Sequence, residues 1–300
     1  MSSETCREPE RRVLILGVTG MLGHTLMREL SRDESIHVQG TARSTKALEK
    51  TFPNDLLSRV TSGINATDMN LVEGVLDRVQ PDIVVNCIGV IKQDPSVEDV
   101  TRTMALNAQF PHLLAGACAE RGTRMIHIST DCVFSGNRGR YTESNSPDPV
   151  DLYGRSKLLG EVSNAPALTL RTSFIGHELG SNKSLLDWFL SQSDVVNGFT
   201  MAFYSGVTAI EFSHMLTSVV FPRDDLTGLY HVASTSISKF DLLSAIADEY
   251  GWSGKLVPFS DFECDRSMLA DSFFSATGYR PPEWPEMISQ MHGARSQSCL

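Results

Sequence analysis

The fold class the sequence predicts is α/β, a Rossmann-type doubly wound parallel sheet with a smaller C-terminal substrate-binding region. Three observations predict it. Short β-branched runs alternate with longer helical patterns through the first half of the chain. The first of these runs opens straight into a glycine-rich turn and then a helix. The alternation fades beyond about residue 173, where breaks and helices follow one another without a clear period.

Taken in order, Val13 to Val18 reads as a buried strand, and Leu22, Leu26, Met27 and Leu30 set the apolar stripe of the helix that follows. Ile36 to Thr41 gives a second strand and Pro81 to Asn86 a third. Val97 to Arg121 reads as one long helix bent at Pro111, because a proline removes a helical N–H. Arg124 to Ser129 and Leu168 to Thr172 are further strands, with a helix over Leu152 to Val162 between them. In the second half helices are expected over 184–191, 209–219 and 239–250, and a strand over 228–232. Pro281-Pro-Glu-Trp-Pro285 is expected to break the chain before a final short helix. The domain reading is a dinucleotide-binding unit over 1–172 and a mainly substrate-binding region over 173–300, with segments such as 206–235 returning to the first unit.

The charge balance narrows the partners. A formal net charge of -10 argues against a nucleic-acid surface, which needs a concentrated positive field. Six cysteines without paired close spacing fit free thiols in a cytoplasmic setting, with short loose tails at both ends. The apolar run after the N-terminal segment is too short for a membrane span. No His-x-x-x-His or Cys/His cluster suggests a metal site. Ser129 lacks the context of a hydrolase nucleophile.

The chemistry-bearing motifs lie where strands end. Gly17-Val-Thr19-Gly20-Met21-Leu22-Gly23 can turn tightly and bring a pyrophosphate to free helix N–H groups. Arg43, about 20 residues on, suits the 2′-phosphate of NADPH better than the bare ribose of NADH, though NADH stays admissible. Tyr153 and Lys157 stand four apart and so share a helix face. An ammonium beside a phenol favours the phenolate and is expected to draw the Tyr153 pKa down from about 10. Thr130 closes a strand at the edge where open α/β sheets bind ligands. Cys132 reads as a space-filler ahead of a reactive thiol.

Together these motifs resemble the extended short-chain dehydrogenase/reductase family, in its dTDP-4-dehydrorhamnose reductase branch. The likeness also runs through Asn86-Cys87-Ile88-Gly89, Leu106-Asn107-Ala108, Ile128-Ser-Thr-Asp-Cys-Val-Phe134, Leu170-Arg-Thr-Ser173-Phe174-Ile-Gly176 and Ile237 to Leu243. It implies hydride transfer from a nicotinamide to a keto carbon of a nucleotide-linked sugar. By that likeness Tyr153 is the proton donor, Lys157 holds the nicotinamide ribose, and Thr130 takes the place of the family's serine. Asp68 would contact adenine, Asn86 to Gly89 would line the cofactor, and Asn107 would support Lys157 through water. Asp131, Cys132, Val133, Phe134, Ser173 and Phe174 would face the substrate.

The branch commonly carries a tyrosine where this chain has Cys132, which leaves the sugar open. Related dehydratases carry a glutamate there, so the thiol also disfavours dehydration. An epimerase on the same fold is one alternative. A non-catalytic NADP-binding regulatory subunit is another, since the regulatory subunit of methionine adenosyltransferase resembles the same branch. A homodimer is expected only on the base rate for soluble oligomers.

Overall fold

The computed structural model describes residues 11–296; Cys6 and Cys299 lie outside them, and of the loose C-terminal tail expected over 292–300 the described residues 292–296 are helical instead. The first half builds β1 (Arg11–Leu16), α1 (Met21–Leu30), β2 (Ile36–Thr41), α2 (Asn54–Ser58), β3 (Val60–Thr61), α3 (Met69–Val79) and β4 (Ile83–Asn86). α4 (Val100–Met104), α5 (Phe110–Glu120), β5 (Arg124–Thr130), α6 (Leu152–Leu159) and β6 (Leu168–Thr172) follow. The second half adds β7 (Phe174–Ile175), α7 (Leu185–Leu190), β8 (Val195–Phe199), β9 (Ala202–Tyr204), β10 (Val207–Thr208), α8 (Ala209–Met215) and β11 (Gly228–His231). It ends with β12 (Ile237–Ser238), α9 (Lys239–Tyr250), β13 (Lys255–Phe259), β14 (Cys264–Asp265), α10 (Asp271–Thr277) and α11 (Trp284–Ser296).

Seven strands form one parallel sheet in the order β11-β6-β5-β4-β1-β2-β3. The β-branched runs predict this, because a strand covered on both faces has no polar side to alternate with. Along β1, Val13 and Ile15 enter the core cluster that also holds α1 and α8 side chains. Leu14 and Leu16 enter the cluster on the opposite face with α3 and α5. All four are fully buried. The chain leaves β1 in one direction and reaches β4 on its other side, so strand order reverses between them and opens a crevice at the carboxyl edge. Register aligns that edge: Leu16 lies level with Thr41 and Asn86, while β5 runs three residues past His127, the partner of Asn86.

Several elements differ from expectation. The long helix over 97–121 is a 3₁₀ turn (Pro95–Glu98), then α4, a π-helical segment (Ala105–Gln109) and α5. Asp99 caps α4 by accepting from Arg102 N at 3.0 Å, which separates it from the turn before. Pro111 sits in the first turn of α5, where its missing N–H is tolerated after the widened π turn. The helix expected to reach Val162 stops at Leu159 with Gly160 as its cap. Helix 209–219 switches to a π segment at Leu216–Val220. The proline-rich break stops short of its last two residues: Trp284 and Pro285 belong to α11, which is 13 residues long. The two- to five-residue strands β7 to β10 and β12 to β14 were not expected, being too short to show a period. No helix among the described residues is long and apolar enough to cross a membrane.

Since both faces of the sheet are close-packed, Leu14→Ala should cost about 2–5 kcal/mol of folding stability in urea unfolding. Leu113→Ala, on an exposed position of α5, should stay within about 0.5 kcal/mol; equal losses would contradict the assignment of the core.

Candidate active site

At the end of β1, Gly17 adopts φ +89°, and a Cβ there would press on the Cys87 backbone and Ile88. A Cβ on Gly23 would collide with the Gly17 carbonyl. These two glycines are set by the tight turn and by its packing. Gly20 caps α1 with an extended backbone and no side-chain hydrogen bond, so first-turn N–H groups stay free for an anion. Thr19, Gly20, Met21 and Leu22 line a cleft of about 390 Å³ along the carboxyl edge.

β4 delivers Cys87, Ile88 and Gly89 to that cleft. Asn86 also lines it, largely buried: its Oδ1 accepts from Ile88 N at 3.1 Å, and its Nδ2 meets His127 Nδ1 at 3.2 Å. Asn107, expected to support Lys157 through water, is a buried clasp within the π segment. Its Oδ1 accepts from Val90 N at 2.8 Å, and its Nδ2 donates to the Val90 carbonyl at 3.0 Å and Ser156 Oγ at 3.1 Å. Those three bonds take both N–H groups and one lone pair of the amide, so it braces the loop after β4 against α6.

α6 carries the Tyr–Lys pair, and both residues line the cleft. Asp151 caps it, accepting from Gly154 N at 2.8 Å, and pairs with Lys92 at 2.7 Å. A Cβ on Gly154 would collide with the Cys132 carbonyl, and one on Gly160 with the Asn107 carbonyl, so the helix sits closer to both than any larger residue permits. Lys157 Nζ donates to the Ile128 carbonyl at 2.6 Å. Behind it, Glu161 forms a buried pair with Arg171 at 2.7 Å and accepts from Ser129 Oγ at 2.6 Å. Thr130, at the tip of β5, accepts from Cys132 N and donates to Asp131 Oδ1, each at 3.1 Å.

The electrostatics reverse one expectation. Burial pushes the Tyr153 phenol above its ordinary value, and Cys132, Asp131 and Asp151 add to the rise; the Thr130 hydroxyl opposes it. Lys157 does not lower it, because its ammonium is turned to a carbonyl and is itself brought down to about 8 by burial. Tyr153 is therefore held protonated, the form a proton donor needs. Burial also raises the Cys87 and Cys132 thiols to about 12, which makes them inert filler rather than thiolates.

Of the expected substrate contacts, Asp131, Cys132, Ser173 and Phe174 line the cleft. Val133 and Phe134 do not: both are 0% exposed. The 3₁₀ turn Asp131–Val133 sends them into a small separate core, where Phe134 stacks on Tyr141 with centroids 4.2 Å apart. Arg43 and Asp68 are exposed and do not line the cleft; Asp68 caps α3, accepting from Asn70 N at 3.1 Å. Lys239 and Tyr204, to which sequence reasoning gave no role, line it. The run Ile237 to Leu243 was noticed only as part of a likeness, and Tyr204 sits on a three-residue strand without a periodic signal. Among the described residues no group of three or more His, Cys, Asp or Glu could hold a metal ion.

Fold and cleft define a protein of the extended short-chain dehydrogenase/reductase class. Residues 11–291 match the RmlD substrate binding domain model, and the chain belongs to that family. It is 31% identical over 259 residues to the probable low-salt glycan biosynthesis reductase Agl14 of Haloferax volcanii, covering 82% of each chain. It is 32% identical over 268 residues to the methionine adenosyltransferase 2 subunit beta of Rattus norvegicus, covering 84% of this chain and 76% of that one. Among solved structures, dTDP-4-dehydrorhamnose reductase from Bacillus anthracis in complex with NADP superposes with a TM-score of 0.78. It is 22% identical, with 95% of this chain and 99% of that one covered.

The Asn107 clasp gives a stability test. Asn107→Ala would leave the Val90 N–H and carbonyl buried without partners, at about 1–3 kcal/mol each. Denaturant unfolding should show that loss, and a change below about 0.5 kcal/mol would remove Asn107 from the frame of the site.

Proposed function

We propose that this protein is an NAD(P)H-dependent reductase of the keto group of a nucleotide-linked 4-keto-6-deoxy sugar. The observation that carries the reading is one cleft joining the uncapped start of α1 to Thr130, Tyr153 and Lys157. Support also comes from the glycan-biosynthesis reductase and the dTDP-4-dehydrorhamnose reductase to which the chain is similar.

The open N–H groups of α1 fit the cofactor's pyrophosphate, and Cys87, Ile88 and Gly89 form the neighbouring wall. When bound, the nicotinamide supplies the hydride. On substrate binding the Thr130 hydroxyl turns from Asp131 Oδ1, to which it donates in the free protein, and donates to the substrate carbonyl instead, orienting it. As that oxygen gains negative charge, Tyr153 gives it a proton, completing the hydroxyl. Lys157 holds the nicotinamide ribose through its ammonium. Arg43 and Asp68, exposed beyond β2 and at the start of α3, take the 2′-phosphate and adenine end, with NADPH favoured over NADH. Residues 1–172 serve the cofactor and 173–300 mainly the substrate, with 206–235 contributing β11 to the large sheet. The free thiols suit a cytoplasmic setting. A homodimer would cover exposed Leu113 and Leu159, on helices joined by the His112 Nε2 bond to the Leu159 carbonyl at 2.7 Å.

A second reading, a cofactor-binding regulatory subunit, is supported by the methionine adenosyltransferase relative. NADPH consumption with a panel of dTDP-, UDP- and GDP-linked keto sugars separates the two. Turnover with at least one sugar is expected, and Tyr153→Phe should lower it by about 10²-fold or more while cofactor affinity holds. A flat trace across the panel with tight NADPH binding would favour the regulatory reading.

The Lys157 ammonium is present below its pKa of about 8 and is lost as pH rises through that value. NADPH affinity should therefore weaken above about pH 8. In Lys157→Met binding should be weaker throughout and flat with pH; an unchanged pH profile in that variant would remove Lys157 as the responsible group.

A further inference from the structure

At the substrate end of the cleft two polar side chains lie without an ion pair or a well-formed hydrogen bond among the described residues. The Tyr204 hydroxyl belongs to a side chain only 4% exposed and is itself buried beside Gly206 and Ser173. Lys239, the first residue of α9, lies with Nζ 4.1 Å from the Tyr204 ring centroid and makes no ion pair among the described residues. Both line the cleft that holds Thr130 and Tyr153. The neighbouring carboxylate, Asp131, is engaged by the Thr130 hydroxyl.

A half-buried ammonium that touches a ring face and lies near Asp131 without an ion pair to it can still take an anionic acceptor, and a buried hydroxyl needs a donor or acceptor of its own. Gly206 preserves the room: a Cβ there would collide with the Tyr204 hydroxyl and the Ser173 carbonyl. α9 adds the positive end of a 12-residue helix at the same corner. Ser238 caps that helix, accepting from Asp241 N at 3.0 Å, which fixes the residue from which Lys239 projects. The first turn of α9 also carries Asp241, whose carboxylate accepts from Ser238 Oγ at 2.7 Å, and Asp131 lies near Lys239; among the described residues neither comes within ion-pair distance of the ammonium.

We propose that Lys239 and Tyr204 form an oxyanion-binding corner that recognises an anionic group of the substrate, with Lys239 as its specificity-determining residue. The assignment rests on reading the cleft as a sugar-nucleotide site. Two sources share the required chemistry, the diphosphate of the nucleotide carrier and a carboxylate on the sugar ring, the second of which would replace the 6-deoxy carbon of the proposed substrate.

Calorimetric titration of the NADP-loaded protein, in which the cofactor's own pyrophosphate site is filled, tests it with UDP, dTDP, pyrophosphate and glucuronate. Wild-type protein should bind at least one of these, and Lys239→Ala should weaken that binding by about thirtyfold. Lys239→Arg should restore most of the affinity, and Tyr204→Phe should lose about three- to tenfold without a drop in melting temperature. NADPH affinity, measured on each variant, should match wild type and so report an intact fold. Binding of nucleoside diphosphates and pyrophosphate identifies the carrier diphosphate, whereas binding of glucuronate alone identifies a sugar carboxylate; either supports the corner. Equal affinities in wild type and Lys239→Ala, or no binding of any of the four by wild type, overturns it. Lys239-dependent binding together with no NADPH consumption on any keto sugar would leave the corner standing and remove the reductase reading instead.

Discussion

α6 lies across the tip of β5 at a separation that two glycines permit, and the geometry of the cleft follows from that contact. Gly154 lets the helix touch the Cys132 carbonyl and Gly160 lets it touch the Asn107 carbonyl. Between these points Lys157 reaches the Ile128 carbonyl, and beyond them the Glu161–Arg171 pair anchors the following residues to β6. A buried ion pair adds little net stability over an apolar pair of the same shape, yet losing one partner is costly. Its value here lies in position, because it fixes where the chain leaves α6.

Because that contact is close-packed, the site works with groups whose protonation burial tunes. Burial raises the Tyr153 phenol and lowers the Lys157 ammonium, so the two move in opposite directions from their ordinary values. An acid kept loaded and a cation kept close to neutrality suit a reduction, in which a proton is delivered and a ribose is held. The chain as a whole is acidic, and the cleft is lined by Lys92, Lys157 and Lys239 together with Asp131 and Glu178.

Six strands of the large sheet were legible in the sequence because they are long enough to show β-branched runs, whereas the two-residue β3 and α3 beside it were not read. The motif residues were legible because they sit at strand ends, where chain position and sheet edge coincide. What escaped has physical reasons. Val133 and Phe134 follow Thr130 in the motif, but a 3₁₀ turn carries them into a separate core, and turn type leaves no periodic trace. The direction of the Tyr153 shift depends on burial and on which way Lys157 points, neither of which spacing reveals. Lys239 and Tyr204 reach the cleft from short elements of the second half, brought there by tertiary packing alone.

The π segment at Ala105–Gln109 holds one more residue than a regular turn would. An α-helix advances about 100° per residue, so the extra residue sets the angular phase of everything before it relative to α5. Asn107 faces Val90 and Ser156 only in that phase. Removing a single residue from the segment would heal the helix into regular hydrogen bonding and, by the same rotation, swing the clasp away from the loop after β4. Local ideality and a formed cofactor wall are thus mutually exclusive at this turn, and the irregular helix is the one compatible with a cleft.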